Sequence, residues 1–285
     1  MLRYYDDLKP KLDPSLYSLD PDEQEFFKEL TGIQDDEILK HHILFIQAKA
    51  YDLYGYPCIR RFLFAKLKIA RDPAYKNVIK LLQTHNDPIF LDIGCCFGND
   101  ARKLVHDGWP AENVIASDLQ AGFWRYGHEL FKSTPETFTA AFIPGSLNTL
   151  TSLTPLRHRI SAIHASAFFH LFSEERQLVL AKRLAVLLLP KSGSIIFGQH
   201  VVMPVKGIRT ESGIPQSDYS MFCHSPESWR TLWVEEVFGP HQDVRVSMYT
   251  EVTEVGGNAI SDSKTSENEQ SGVKFHIMSW SIRVL

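Results

Sequence analysis

The chain has 285 residues, 44% of them hydrophobic, which is enough apolar material for a substantial core in one large or two ordinary domains. Its formal net charge of −4 and sequence pI near 6.3 give no general attraction to polyanions, which excludes nucleic acid as the main partner. A small-molecule partner is expected instead.

Targeting and metal-binding signals are missing from the sequence. The N-terminus, MLRYYDDLKPKLD, lacks the apolar core of a signal peptide, and the longest aliphatic run, residues 184–189, is too short to cross a bilayer. The four cysteines include the adjacent pair Cys95 and Cys96 but no CxxC pattern, which fits neither a disulfide framework nor a zinc site. With no HExxH or similar cluster either, we expect a cytoplasmic protein with no membrane span and no metal.

Residues 1–87 are predicted to form an irregular arm followed by a helical cap. The arm, residues 1–34, is rich in Asp, Pro and aromatic residues and carries turn signals. Helices are predicted where apolar residues recur at four-three spacing or follow a proline start signal, at about 21–30, 35–54 and 59–70 and from Pro73 onward.

Residues 88–285 follow a different pattern, in which short apolar runs alternate with helix-like stretches. The predicted strands cover 89–93, 113–117, 140–144, 160–164 and 194–201, and the predicted helices cover 99–107, 121–132, 174–189 and 225–238. Residues 244–252 and 274–285 are predicted to form a closing strand pair. This alternation is typical of an α/β domain in which crossover helices cover a parallel sheet.

The stretch IFLDIGCCFGND, residues 89–100, leads from the first predicted strand into a turn with Gly94 and Gly98. In an open parallel sheet, ligands bind at the carboxyl ends of the strands, where glycines let them approach backbone N–H groups. A dinucleotide fingerprint requires GxGxxG, and neither its second nor its third glycine falls in register here. The spacing therefore disfavours nicotinamide and flavin cofactors.

The same stretch resembles the D-x-G-x-G-x-G turn of class I S-adenosylmethionine (SAM) dependent methyltransferases. Asp92, Gly94 and Gly98 are in place, and Cys96 stands where the middle glycine is usual. The resemblance implies a Rossmann-like, seven-stranded α/β sheet with a helical N-terminal cap. It also implies SAM as the cofactor, with these four residues among those that bind it.

Two further strand ends support the resemblance. The second predicted strand ends in Asp118, about 20 residues after the glycine turn, where an acidic side chain can accept hydrogen bonds from both ribose hydroxyls. The alternative role for Asp118, a helix N-cap, is compatible with ribose binding. Leu119 follows it as a further cofactor-binding candidate. The third strand leads to Ser146 and Leu147, which the resemblance assigns to adenine, although the family often has an acidic residue in place of the serine.

The fourth predicted strand ends at His164, and the family uses this region to line the methionine end of the cofactor and the substrate mouth. His164 and Ala165 are therefore assigned to the cofactor. The stretch IHASAFFHLF, residues 163–172, resembles the fungal methyltransferases of meroterpenoid pathways, which methylate a carboxylic acid or hydroxyl of a small metabolite. This narrower resemblance implies methyl transfer to oxygen, with a carboxylate of a hydrophobic metabolite as the expected acceptor. It also implies a homodimer with the amphipathic N-terminal helices as its interface.

His164 and His170 are the predicted catalytic residues, because they fall at or just beyond a predicted strand end. Each could instead be a hydrogen-bonded structural histidine, and His200 is left undecided between the two roles. A carboxylic acid is ionised at neutral pH and needs no general base, whereas a phenol with a pKa near 10 benefits from one. Absence of a general base would therefore favour an acid acceptor.

Some features admit two interpretations. Phe123 and Trp124 could stack on adenine or pack against the sheet. Residues 203–222 are expected to contact the acceptor. The aromatic residues that could close over the cofactor or merely pack on the surface are Tyr4, Tyr5 and Tyr17.

Two other functions remain as alternatives. A nicotinamide-dependent oxidoreductase is opposed by the glycine spacing. A non-catalytic, methyltransferase-like regulator would explain the missing middle glycine and Ser146, but the intact Asp92 and Asp118 argue against it.

Overall fold

The computed structural model describes residues 10–145, 154–209, 221–240, 243–255 and 275–285. Several predicted features lie outside these residues. They are Tyr4, Tyr5, Ser146, Leu147 and positions 210–220 of the segment expected to contact the acceptor.

The N-terminal part is helical, as predicted, and its first two helices lie close to their predicted bounds. The helices are α1 (Pro21–Thr31), α2 (Asp36–Leu53), α3 (Pro57–Arg60), α4 (Lys68–Arg71) and α5 (Tyr75–Thr84). The side chain of Asp35 caps α2 by accepting from the Ile38 N–H at 2.9 Å. Gly32, in the left-handed region at φ 72°, ends α1.

The prediction of one helix over residues 59–70 is wrong. The chain instead forms α3, a 3-10 turn at Leu63–Ala65, and α4. Phe62 interrupts the helix with φ 58°, a left-handed conformation that disfavours a bulky residue. Its side chain is fully buried and packs edge-to-face against Tyr17 at 5.5 Å between ring centroids. Tertiary packing of this ring therefore overrides the local helical periodicity.

Seven strands form a mixed sheet in the order β3-β2-β1-β4-β5-β9-β8. The pairs β2 with β3, β1 with β4 and β4 with β5 are parallel, whereas β9 pairs antiparallel with both β5 and β8. The strands are β1 (Ile89–Ile93), β2 (Val114–Asp118), β3 (Ala141–Pro144), β4 (Ile160–His164), β5 (Ile195–Val202), β8 (Val246–Val255) and β9 (Phe275–Val284). This arrangement confirms the predicted α/β fold and its closing strand pair.

The remaining elements connect the strands. The helices are α6 (Asn99–His106), α7 (Ala121–Leu130), α8 (Glu174–Leu187) and α9 (Pro226–Arg230), and a π-helix continues α9 over Thr231–Val237. A small hairpin that the sequence did not predict, β6 (Gly207–Arg209) with β7 (Met221–Cys223), lies where a shaped loop was expected.

The chain packs as two units. The first comprises Met1–Ala70 and Cys95–Ser146, and the second comprises Arg71–Gly94 and Leu147–Leu285. This division follows packing and does not test the boundary proposed between residues 87 and 88, which stays a prediction. Among the described residues, every helix falls short of the length or apolar character that a membrane crossing requires.

Aromatic rings fill the core of the first unit. Phe27 stacks on Phe131 at 5.1 Å between centroids, and Trp124 stacks on Phe142 of β3 at 5.1 Å. Phe123 is 1% exposed and packs against Phe97 at 5.8 Å. These contacts favour the packing interpretation of Phe123 and Trp124 over adenine stacking.

Gly127 of α7 gives a direct test of this packing. A Cβ added there would lie 2.1 Å from the backbone oxygen of Phe97, which cannot move without displacing the turn at residues 95–98. We therefore expect Gly127→Ala to lower the free energy of unfolding by about 1 to 3 kcal/mol or more, as measured by urea denaturation. Gly207→Ala is the matched control, because nothing lies within 4 Å of its added Cβ. Equal effects of the two substitutions would contradict this packing.

Candidate functional site

The turn after β1 alternates left-handed residues. Gly94, Cys96 and Gly98 have φ values of 74°, 52° and 70°. A non-glycine residue in this region costs about 1 to 2 kcal/mol, which explains why glycine is usual at each position. Cys96 nevertheless adopts the conformation of the glycine it replaces. The missing middle glycine therefore changes the residue type without changing the shape of the turn.

The strained Cys96 directs its backbone N–H at the carboxylate of Asp118. This N–H lies 2.9 Å from Oδ2, and the N–H of Gln120 lies 2.8 Å from Oδ1. Both oxygens are thereby oriented by backbone N–H donors. Gln120, not Asp118, is the N-cap residue of α7, so the predicted capping role of Asp118 is wrong in that detail.

The side chain of Cys96 is not suited to be a nucleophile. Burial raises the pKa of its thiol well above the usual value, and the neighbouring Cys58 and Asp118 raise it further. A neutral thiol is a poor nucleophile, so this residue contributes its backbone N–H rather than its sulfur.

The two glycines of the turn, Gly94 and Gly98, have different roles. A Cβ at Gly98 would lie 2.5 Å from the Trp124 ring and 2.9 Å from the Arg102 guanidinium, so this glycine is required for packing. A Cβ at Gly94 would lie 3.1 Å from Cδ2 of Phe168, so that ring covers the bare Cα of Gly94. Sequence reasoning missed Phe168 because no local pattern distinguishes it from the neighbouring Phe169.

Arg102 supports the turn from its buried side. Its Nη1 donates to the carbonyl oxygens of Phe97 at 2.8 Å and Gly98 at 3.3 Å, and its Nη2 donates to Ser133. Burial lowers the pKa of its guanidinium to about 9, which still leaves it charged at neutral pH. The rings around it, at 4.3 to 5.3 Å, are Trp124, Phe131 and Phe138.

In the second unit, the ends of β1 and β4 bring Asp92 and His164 together. The two residues are register partners, and Nδ1 of His164 lies 2.9 Å from Oδ1 of Asp92. Their exposed fractions are only 2% for His164 and 3% for Asp92. In a neutral ring, donation from Nδ1 leaves Nε2 as the nitrogen with the lone pair. The other carboxylate oxygen, Oδ2, is buried without a hydrogen-bond partner among the described residues.

The turn after β4 is strained and held by the neighbouring strand. Ala167 has φ 51°, and its N–H donates to the Gln199 carbonyl of β5 at 2.7 Å. The N–H of Ala165 donates to the Phe197 carbonyl at 2.9 Å. This turn positions the Phe168 ring against Gly94. Its strained backbone lies in the region predicted to line the substrate mouth.

His200 and His224, also in the second unit, are buried and pack against the ring of Trp229. Nδ1 of His200 accepts from the Trp280 indole N–H at 3.0 Å, and because indole only donates, Nδ1 must be unprotonated. Burial lowers the pKa of His200 well below its usual value, and His170 and His224 lower it further. His170 is also buried, at 7% exposure, in the 3-10 turn Phe169–Leu171. These contacts favour a structural role for His200, whereas the catalytic role of His170 stays a prediction.

Two further observations bear on the predicted ligands. Leu119 is 62% exposed beside Asp118, so its apolar side chain is accessible to a ligand. A search of the described residues finds no group of three or more His, Cys, Asp or Glu side chains placed to hold a metal ion.

Comparison with known proteins shows that the sequence is similar to one group of enzymes. A family model described as the meroterpenoid methyltransferase N-terminal domain matches residues 11–65. The O-methyltransferase phiE of Fungal sp. (strain ATCC 74256) is 35% identical over 190 residues, which are 66% of this chain and 62% of phiE. The Asnovolin E/Chermesin D methyltransferase nvfJ of Aspergillus novofumigatus is 34% identical over 203 residues, which are 70% of each chain. The chain thus spans less than two thirds of phiE.

A solved structure shows the same fold. The 1,6-didemethyltoxoflavin-N1-methyltransferase of Burkholderia thailandensis, with bound 1,6-didemethyltoxoflavin and S-adenosylhomocysteine, matches with a TM-score of 0.50 and 13% identity. The match covers 85% of this chain and 87% of that chain. At this identity the likeness establishes the fold and nothing finer.

The buried histidines predict how stability depends on pH. Burial lowers the pKa of His224 from 6.5 to about 4, so its ring stays neutral in the folded chain while the unfolded chain takes up a proton below pH 6.5. Stability is therefore fully present above pH 6.5 and is lost as the pH falls toward 4. For this one group the loss between pH 7 and pH 5 is about 2 kcal/mol.

Urea unfolding measured from pH 8 to pH 5 checks this expectation in the wild-type chain and in His224→Gln. The variant should show a shallower decline, although not a flat one, because the pKa values of His85, His128 and His200 are lowered in the same direction. Identical slopes for the two proteins would show that His224 is not buried as a neutral ring.

Proposed function

Because the chain belongs to the family of fungal meroterpenoid methyltransferases, we propose that it transfers a methyl group from SAM to an oxygen of a hydrophobic small metabolite. The expected acceptor is a carboxylate, and the product is then a methyl ester. The observation that supports this most directly is the Asp118 carboxylate at the end of β2, whose two oxygens are fixed by backbone N–H groups at 2.8 and 2.9 Å.

The residues of the chain fit SAM in charge and hydrogen bonding. Asp118 can accept from the ribose hydroxyls, and its neighbour Leu119 offers apolar contact to the adenine. The buried Oδ2 of Asp92, which has no hydrogen-bond partner in the described part of the chain, can accept from the ammonium of the methionine moiety. When bound, the cofactor supplies an electrophilic methyl group on a sulfonium. Ser146 and Leu147 remain proposed adenine residues, with the glycine turn and Ala165 as further contacts.

Methyl transfer is an in-line displacement, so the main work of the protein is to align the acceptor and exclude water. A carboxylate is already a nucleophile at neutral pH and requires only positioning. The aromatic surroundings of His164 serve this requirement, because Phe90 and Phe197 flank its ring at 6.4 and 5.0 Å.

The hydrogen bond between Asp92 and His164 also supports a second candidate, a hydroxyl acceptor. A histidine whose Nδ1–H is held by a carboxylate presents Nε2 as a general base, the arrangement used to activate hydroxyl nucleophiles. Both candidates are O-methyl transfers, and they differ in whether His164 must accept a proton.

Cofactor binding is tested with Asp118→Asn, which keeps the shape of the side chain but removes its charge. Loss of hydrogen bonds to a charged acceptor should weaken S-adenosylhomocysteine binding by about ten- to a hundredfold in isothermal titration calorimetry. The exposed Glu112→Gln serves as a control for loss of negative charge and should bind normally. NADPH is titrated in parallel, and binding of NADPH instead would overturn the proposal in favour of an oxidoreductase. A folded protein that binds neither ligand would support the regulator alternative.

The acceptor is tested with His164→Gln and SAM carrying a tritiated methyl group. Hydrophobic carboxylic acids and matched phenols are offered, and label in the organic extract is counted. If the acceptor is a carboxylate, the variant should lose about tenfold or less in kcat, because no proton has to be removed. If the acceptor is a hydroxyl and His164 is the base, the loss should be about a hundred- to ten-thousandfold. Label transferred only to phenols would contradict the carboxylate assignment.

A further inference from the structure

The loop that joins α2 to α3 lies against the start of α7, within the first unit. The side chain of Leu53 occupies the space beside Gly122, since a Cβ there would lie 2.3 Å from its Cδ2. Three residues later, the ring of Tyr56 contacts that of Phe123 with 6.0 Å between centroids. Tyr54 packs on Tyr56 at 4.2 Å. The N-terminal segment therefore places Tyr56, packed against Tyr54, beside the first turn of α7.

This first turn of α7 is also the anchor of Asp118. The N–H of Gln120 donates to the Asp118 carboxylate at 2.8 Å, and the N–H of Phe123 donates to the carbonyl of Gln120 at 2.9 Å. Asp118 and Phe123, which Tyr56 contacts, thus belong to one hydrogen-bonded stretch of backbone. The Tyr56 side chain is held from the other side by Tyr54, so its position relative to this stretch is fixed.

The electrostatics of Tyr56 agree with this placement. Burial raises the pKa of its hydroxyl, and the nearby Tyr54 and the negative charge of Asp118 raise it further. The hydroxyl is therefore protonated at neutral pH and lies within electrostatic reach of the Asp118 carboxylate. The same carboxylate raises the pKa of the Cys58 thiol, after the larger effect of burial, which places the start of α3 in the same surroundings.

A ribose diol needs both acceptors and donors from its binding site. The Asp118 carboxylate can only accept, and two of its lone pairs are used by backbone N–H groups. The oxygens of the sugar hydroxyls still require a donor once their protons are given to the carboxylate. A neutral phenol on the ring that packs against Phe123, five residues after Asp118, can supply that donor.

We propose that Tyr56 is a ribose-binding residue, contributed by the N-terminal segment, that donates a hydrogen bond to a sugar hydroxyl whose proton is accepted by Asp118. Tyr54 holds its ring in place. This inference rests on the proposed function, because it assigns a second residue, besides Asp118, to the ribose of the same cofactor.

The test is calorimetric titration of the full chain with S-adenosylhomocysteine and with its 2′-deoxy and 3′-deoxy analogues. Tyr56→Phe keeps the ring and its packing on Tyr54 and Phe123 but removes the hydroxyl. We expect it to weaken S-adenosylhomocysteine binding about three- to tenfold. For the analogue that lacks the contacted hydroxyl, wild-type and variant should bind equally. Tyr126→Phe, a hydroxyl deletion elsewhere in the first unit, is the matched control and should bind all three ligands as the wild type does.

The outcomes separate the two proposals. Normal S-adenosylhomocysteine binding by Tyr56→Phe, or an equal loss for all three ligands, overturns the role of Tyr56 while leaving the cofactor assignment intact. Failure of the folded wild-type chain to bind S-adenosylhomocysteine overturns the proposed function itself.

Discussion

The hydrogen bond from the Cys96 N–H to the Asp118 carboxylate is the constraint on which the candidate cofactor site depends. It forms only because Cys96 adopts a left-handed conformation that its side chain disfavours. The strain of the turn is therefore coupled to the orientation of the carboxylate. A residue that relaxed into the usual backbone region would remove this hydrogen bond from Asp118.

The rest of the first unit stabilises this turn. Arg102 donates to two of its carbonyl oxygens, and Gly127 lets α7 approach the carbonyl of Phe97 closely. Gly98, which the family pattern suggests as a ligand-binding glycine, leaves room for the Trp124 ring and the Arg102 side chain. The spacing of the glycines therefore reflects close packing around the turn as well as access for a ligand. This packing fixes the positions of both α6 and α7 against the turn.

The sequence predicted the sheet and the turn well because both leave local signals. Apolar runs mark the strands, and spaced glycines mark the left-handed positions. It failed over residues 59–70, where burial of Phe62 breaks a helix that local periodicity favours. Contacts between distant residues left no such signal. The bond between Asp92 and His164 follows from strand register, and the contact of Tyr56 with Phe123 follows from the packing of α2 on α7.

The two units differ in the kind of chemistry they support. The first presents a carboxylate with oriented oxygens and accessible apolar surface at Leu119, which suits recognition of a polar sugar and a flat base. The second buries Asp92 and His164 as a hydrogen-bonded pair and His200 and His224 as neutral rings. Methyl transfer from a sulfonium to an oxygen gains little from reactive side chains and much from a dry, ordered surrounding. The proposed methyl transfer would need few reactive side chains, which agrees with the burial of Asp92, His164, His200 and His224 in the second unit.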